Sequence, residues 1–216
     1  MRLTFFRSNL KGNEKNCLYP IETIITSAQE LGEAVKFDHV CARYAKNYRS
    51  SENFISSDVI VMDCDNAHTE DPKEWITLEK FEALMPDVSY ALASSRHHMI
   101  SKAGKAPRPK YHVYFPIDEI KDPEDYGTLK KAIHAQFPFF DDNALDSARF
   151  IYGADEAEVI WHDGWMSIDE LIEYDVTSPE ESLETIPAGQ RNSTLSRFAG
   201  RVVKRYGATE KLIRFS

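Results

Sequence analysis

The 216-residue chain carries an acid pair, Asp63-Cys64-Asp65, at the end of the β-branched run VIVMDCD. Side chains alternate between the faces of a strand, so the two aspartates share one face, about 6.5–7 Å apart along it. Carboxylates placed like this can share hard cations such as magnesium or manganese, which take oxygen ligands and leave positions for substrate phosphates. Two such ions about 3.5–4 Å apart hold the attacking and leaving oxygens in phosphoryl and nucleotidyl transfer. The plain alternative is a pair of strand-end aspartates that only turn the chain into the loop at Asn66.

Two further groups of residues suit the same chemistry. His112 lies on the run YHVYFPI, on one face with Tyr114, directly behind Pro107-Arg108-Pro109-Lys110. From Val88 to Ile117 there is no acidic residue, while Arg96, Lys102, Lys105, Arg108 and Lys110 accompany His97, His98 and His112. A basic loop of this kind, opening at the carboxylate end of a shared sheet, suits a triphosphate. Lysine and arginine would pair with the phosphates and His112 would donate to a phosphate oxygen. A lone strand histidine is more often structural. In FFDDNALDSARFIYG, Asp146 stands three residues before Arg149. A third carboxylate would complete a two-ion site, and Arg149 would neutralise phosphate or orient the aspartate through both its nitrogens. Asp141 and Asp142 compete for that role and read better as a solvated loop. The segment YAKNYRSSENF sets Lys46 and Arg49 among aromatic residues, a combination that suits single-stranded nucleic acid or an incoming sugar. It also reads as a helix end with exposed basic residues.

These residues need a frame. Ser27 to Tyr44 reads as one or two helices, with Leu31, Ala34, Val35 and Val40 at roughly helical spacing. Strands follow over VIVMDCD, over Val88 to Ala93 and over Tyr111 to Ile117, with short ones at Arg149 to Tyr152 and Glu158 to Trp161. Helices are expected after Thr77, from Pro123 to Phe137, and from Ser167 to Tyr174. The hairpin-like link from the second to the third strand points to an α+β fold with a mixed or antiparallel sheet. Residues 1–176 form the expected catalytic domain. A Ser/Pro/Glu-rich linker at 177–190 leads to a short helical extension, 191–216, which carries seven Lys/Arg against one acid, Glu210.

Composition sets the outer bounds. Hydrophobic residues make up 42% and charged residues 28%, ordinary for a globular chain that buries its own core. Lys+Arg 26 against Asp+Glu 35 gives a net charge of −9, so nucleic-acid contact would rest on segregated basic patches. Three cysteines, Cys17, Cys41 and Cys64, show no CxxC spacing, which argues against a disulfide framework and against a standard zinc site. No apolar run approaches the roughly 20 residues that span a bilayer, and the N-terminus lacks the apolar core of a signal peptide. The expectation is a reducing cytoplasm.

In their order, the motifs resemble the archaeo-eukaryotic primase superfamily, most of all the primase-polymerase domains of phages and other mobile elements. That family is written DxD, SxH and a single Asp after an apolar residue. Here the motifs read Asp63-Cys64-Asp65, Lys110-Tyr111-His112 and Leu145-Asp146. The resemblance covers roughly Val59 to Trp161 and departs at Lys110, where the family often has serine. It implies an RRM-like sheet with flanking helices and a cleft between two α/β parts. It implies template-directed nucleotidyl transfer on single-stranded DNA, making primers and extending them. Asp63, Asp65 and Asp146 would bind two magnesium or manganese ions. His112 and Lys110 would bind the nucleoside triphosphate, with Ser95, Arg96, His97 and Arg149 beside them. Lys46, Arg49, Lys102, Lys105 and Arg191 would contact nucleic acid. Gly189-Gln190-Arg191-Asn192, followed by Leu195 and Ala199, is similar to the start of the helical module in primase-helicase proteins, which implies a helicase portion or partner.

Two other readings compete. VIVMDCDNA also resembles the motif of haloacid-dehalogenase-type phosphatases, in which the first Asp is a nucleophile. That family wants a parallel sheet and a Thr or Val where Ala67 stands. The other reading is a replication-associated DNA-binding module without catalysis, against which the complete carboxylate set argues.

Overall fold

The computed structural model describes residues 1–101 and 106–176. Most of them lie in one compact unit, Met1–Ile172. The 177–190 linker and the 191–216 helical extension expected from the sequence, with Arg191, lie outside the described residues, as do Lys102 and Lys105.

The longest strand is β5 (Phe54–Cys64), buried on both faces from Val59 to Cys64. Burial on both faces explains why its sequence is continuously apolar up to the acid pair. It pairs antiparallel with β7 (Tyr111–Ile120), so that Asp63 stands opposite His112 and Met62 opposite Val113. β7 in turn pairs antiparallel with β6 (Tyr90–Ser94), with Ala93 opposite His112. β4 (Arg43–Tyr44) and β8 (Val159–His162) complete a five-stranded sheet of order β4-β5-β7-β6-β8. Its strands pair antiparallel. The expected hairpin-like link is therefore present, and β7 inserts between the two strands that precede it. Among the described residues, the parallel sheet that the phosphatase reading requires is not formed.

Alternation divides the sheet between two cores. Ile60, Met62, Cys64, Leu92, Val113 and Phe115 face three helices, α2 (Leu78–Leu84), α3 (Pro123–Gln136) and α4 (Ile168–Val176). These contribute Phe81, Tyr126, Ile133 and Ile168. Val59, Val61, Ala91, Ala93 and Tyr114 face the opposite way. They pack on helix α1 (Ala28–Ala34) and a second sheet of order β2-β1-β3, built from β1 (Leu3–Arg7), β2 (Ile21–Ile25) and β3 (His39–Val40). Each large apolar side chain buried here contributes about 1.5–3 kcal/mol. The helices begin where oxygen side chains accept orphan N–H groups: Ser27 for α1, Thr77 for α2 and Asp122 for α3. The α+β class expected from the sequence is the observed one.

Three local expectations are corrected. Ser27 to Tyr44 holds a single helix, Ala28–Ala34, and then turns to β3 and β4, because β1 offers an edge that β3 completes with Val40 opposite Phe6. Arg149 to Tyr152 is not a strand; only Ile151 bridges, to His39. The acid pair does not ride together on one strand, because β5 ends at Cys64 and Asp65 lies just past it.

Candidate active site

Directly opposed residues of an antiparallel pair project from the same face, so the register of β5 on β7 brings Asp63 to His112. The His112 Nδ1 lies 2.9 Å from Asp63 Oδ1. A carboxylate has no proton to give, so Nδ1–H donates. Asp63 Oδ2 accepts from Arg149, which arrives on the chain segment after α3. The segment is tied to the strand at its other end as well, because the Asp141 N–H donates to the Asp63 carbonyl at 2.8 Å. Asp65 pairs with Lys110 at 2.8 Å, and both are partly exposed. Between the two motifs, Asn66 adopts φ 51°, a left-handed conformation that asparagine tolerates. Its buried amide donates to the Ile76 and Pro109 carbonyls and accepts from the Ile76 N–H. One side chain thus fixes the turn after Asp65 against the residue before Lys110.

The electrostatics follow from burial. Asp63 is 2% exposed, and burial by itself would raise its pKa. His112, Arg149 and Lys130 nonetheless hold its carboxyl well below the usual range. Lys130 is fully buried, on the face of α3 that also carries Tyr126 and Ile133. Burial pushes its ammonium down to about 8, against the opposing pull of Asp63 and Asp146. Cys64 points to the helix-covered core, where burial raises its thiol to about 12.

Of the residues singled out by sequence, the fold brings together Asp63, Asp65, Lys110, His112 and Arg149. Asp146 lies on the Arg149 segment, and its Oδ1 accepts from the Ala148 N–H at 2.7 Å. Ser95 closes the loop after β6: its N–H donates to the Lys110 carbonyl and its Oγ accepts from the His97 N–H. Arg96 lies over the Tyr152 ring, 3.6 Å from its centre. Lys46 is exposed and left-handed, at φ 56°. Arg49, expected from the sequence as a nucleic-acid contact, also has partners within the chain. It donates to the Ala148 carbonyl at 2.9 Å and stacks over Phe150, so it braces the segment that carries Arg149. Arg108 of the basic loop is 3% exposed and bonded to Glu70 and the Asn66 carbonyl. It is an internal strut with no free face for phosphate.

The carboxylates do not match a preformed two-ion centre. Among the described residues no group of three or more His, Cys, Asp and Glu side chains is placed to hold a metal ion. Both Asp63 oxygens are taken by His112 and Arg149, and Asp65 is taken by Lys110. What the arrangement offers chemically is a row of cations and donors (Lys110, His112, Arg149) aligned by acids at one end of a sheet.

Lys130 and Asn66 were missed by sequence. Lys130 had a readable signal: it falls four residues after Tyr126 and three before Ile133, the spacing of one helix face. Asn66 had no signal beyond its position after the acid pair.

No family model matches the chain, and no curated protein matches it. Among solved structures, the archaeo-eukaryotic primase (AEP) domain of the cyanophage S-2L primase-polymerase is similar, with a TM-score of 0.45 and 17% identity over 79% of this chain and 87% of that one.

Proposed function

We propose that residues 1–176 form a primase-polymerase-type nucleotidyltransferase, which binds a nucleoside triphosphate and extends a primer on single-stranded DNA. The observation that carries this reading is the buried Asp63 held between His112 and Arg149, with the Asp65–Lys110 pair beside it. Residues from three separate parts of the chain support it: Asp63 and Asp65 of the first motif, Lys110 and His112 of the second, and Arg149, three residues after the Asp146 of the third. Lys110, Arg149 and His112 are the phosphate ligands. Each is aligned by a carboxylate through one donor, and Lys110 and Arg149 carry further N–H groups for phosphate oxygens. In the reaction, the primer 3′-hydroxyl oxygen bonds to the α-phosphorus, the bond from that phosphorus to the pyrophosphate breaks so that pyrophosphate leaves, and the hydroxyl proton passes to solvent water. Magnesium or manganese, expected from the resemblance, is assigned no step, because the carboxylates are committed to side-chain cations.

The test is a primer-extension and primer-synthesis gel on single-stranded DNA, with labelled ribo- or deoxyribonucleotides and added magnesium or manganese. Product from the native chain and none from Asp65→Ala is the expected result. An inactive native chain that still binds single strands would instead fit the non-catalytic module.

A further inference from the structure

The turn that carries Asp146 and Arg149 is gripped from outside by its backbone. The Asp146 carbonyl accepts from Lys130 Nζ at 3.5 Å, the Ser147 carbonyl from the Tyr44 hydroxyl at 2.6 Å, and the Ala148 carbonyl from Arg49 at 2.9 Å. The donors come from α3, from β4 and from the segment after it. Within the turn, Asp146 Oδ1 accepts from the Ala148 N–H. Turn carbonyls are usually left to water, because connecting segments run over the surface. Here three consecutive ones are taken by side chains. Tyr44 is 4% exposed and Lys130 fully buried. Burying an ammonium and freezing long side chains both oppose folding. An apolar residue at position 130 would extend the stripe of Tyr126 and Ile133 without that opposition.

We propose that Lys130, Tyr44 and Arg49 act together as positioning residues: they grip three successive carbonyls of the 146–148 turn and thereby set where Arg149 meets Asp63. None of them touches a reacting group. Each acts through the backbone, which leaves the Arg149 side chain to reach Asp63. Tyr44 makes the cleanest probe, because its ring packs edge-on against Phe54 at 6.3 Å and stays in place when only the hydroxyl is lost.

The inference rests on the reading of Asp146 and Arg149 as site residues. Its test compares the full native chain with Tyr44→Phe, and adds Arg49→Met as a second probe. Amide hydrogen exchange is read residue by residue, and primer extension is measured well below the unfolding temperature. Losing one net hydrogen bond predicts exchange at the Ala148 amide about five- to tenfold faster, with the β1 amides Leu3–Arg7 unchanged. Extension falls through kcat by a comparable factor. Exchange that stays the same at Ala148, or rises equally throughout the molecule, overturns the clamp. So does a local rise with full extension activity. If the native chain extends no primer, the functional reading fails, and the exchange pattern alone then decides the clamp.

Discussion

Two clusters of mixed charge among the described residues differ in what surrounds them. One is an open cleft of about 330 Å³ whose lining includes Arg2, Glu22, Arg43, Asp58 and Glu119. Its ion pairs, Arg2 with Asp58 at 3.2 Å and Arg43 with Glu22 at 2.7 Å, are partly exposed on both sides. The other is the strand end around Asp63, whose side chain is 3% exposed. Residue types are alike in the two places. In the cleft, water and salt screen each pair to about 0–1 kcal/mol. At the strand end, removing one partner leaves uncompensated buried charge, at a cost of about 3–5 kcal/mol. Volume and charge alone would favour the cleft as a binding site. Burial and convergence of distant segments favour the strand end.

The sharpest break in this contrast is Asp63→Ala. It should abolish nucleotidyl transfer and lower unfolding free energy by about 3–5 kcal/mol in denaturant titration, because His112, Arg149 and Lys130 lose their shared counter-charge. The same substitution at Asp58, in the cleft, should cost under about 1 kcal/mol. Equal losses at the two positions would erase the distinction.

His39 tests burial where no ion pair is present. It stacks on Phe5 and is held by the Phe37 carbonyl and the Tyr114 hydroxyl, and burial lowers its pKa to about 4 from 6.5. The unfolded chain therefore takes up the proton first. Stability should be complete above about pH 6.5 and fall as pH drops toward about 4, by on the order of 3 kcal/mol. Thermal unfolding of native chain and His39→Asn across that window should show the acid limb flattened in the variant.

A smaller effect on folding, with a large one on function, is expected of the half-exposed pair. Asp65→Ala and Lys110→Ala should each change stability by less than about 1 kcal/mol. Lys110→Ala should weaken triphosphate binding about 10- to 100-fold, the worth of a charge-assisted hydrogen bond, as read by calorimetry. The smallest effect is Arg43→Ala, with loss of stability under about 0.5 kcal/mol and unchanged triphosphate affinity.

The candidate site was legible in the sequence to the extent that its chemistry is local. An apolar run ending in Asp63-Cys64-Asp65 and a histidine on the third strand follow from period-two alternation, and their pairing follows from a hairpin-like connection. Arg149 was legible by type, since an arginine three residues after an aspartate beside an apolar run suggests a partner for charge. What could not be read was which long side chains turn inward. Arg49 and Arg108 look like surface cations in a basic, turn-rich context, yet each ends on backbone carbonyls supplied by a distant segment. The strands β1 and β2 were missed for a related reason. Their stability comes from each other and from β3, not from a strong local pattern: Glu22 of β2 stands opposite Phe6, and of β2 only Ile25 is fully buried. Asp63 itself reads as a ligand whose loss would spare the fold; its burial against His112, Arg149 and Lys130 makes it a folding residue as well.

The residue between the two acids has a consequence of its own. Cys64 belongs to the helix-covered core, fully out of water, while its two neighbours in sequence belong to the site. The acid motif is thus threaded through a wall, with one residue serving as the peg. A bulkier peg would meet Phe81 and Tyr111 in the same cluster and push the end of β5 outward, carrying both acids with it. Variation at position 64 would then be confined by the packing behind the sheet and not by the chemistry in front of it. A library randomised there should recover activity only in small, uncharged side chains, though that side chain faces the helix-covered core and not the two acids' partners.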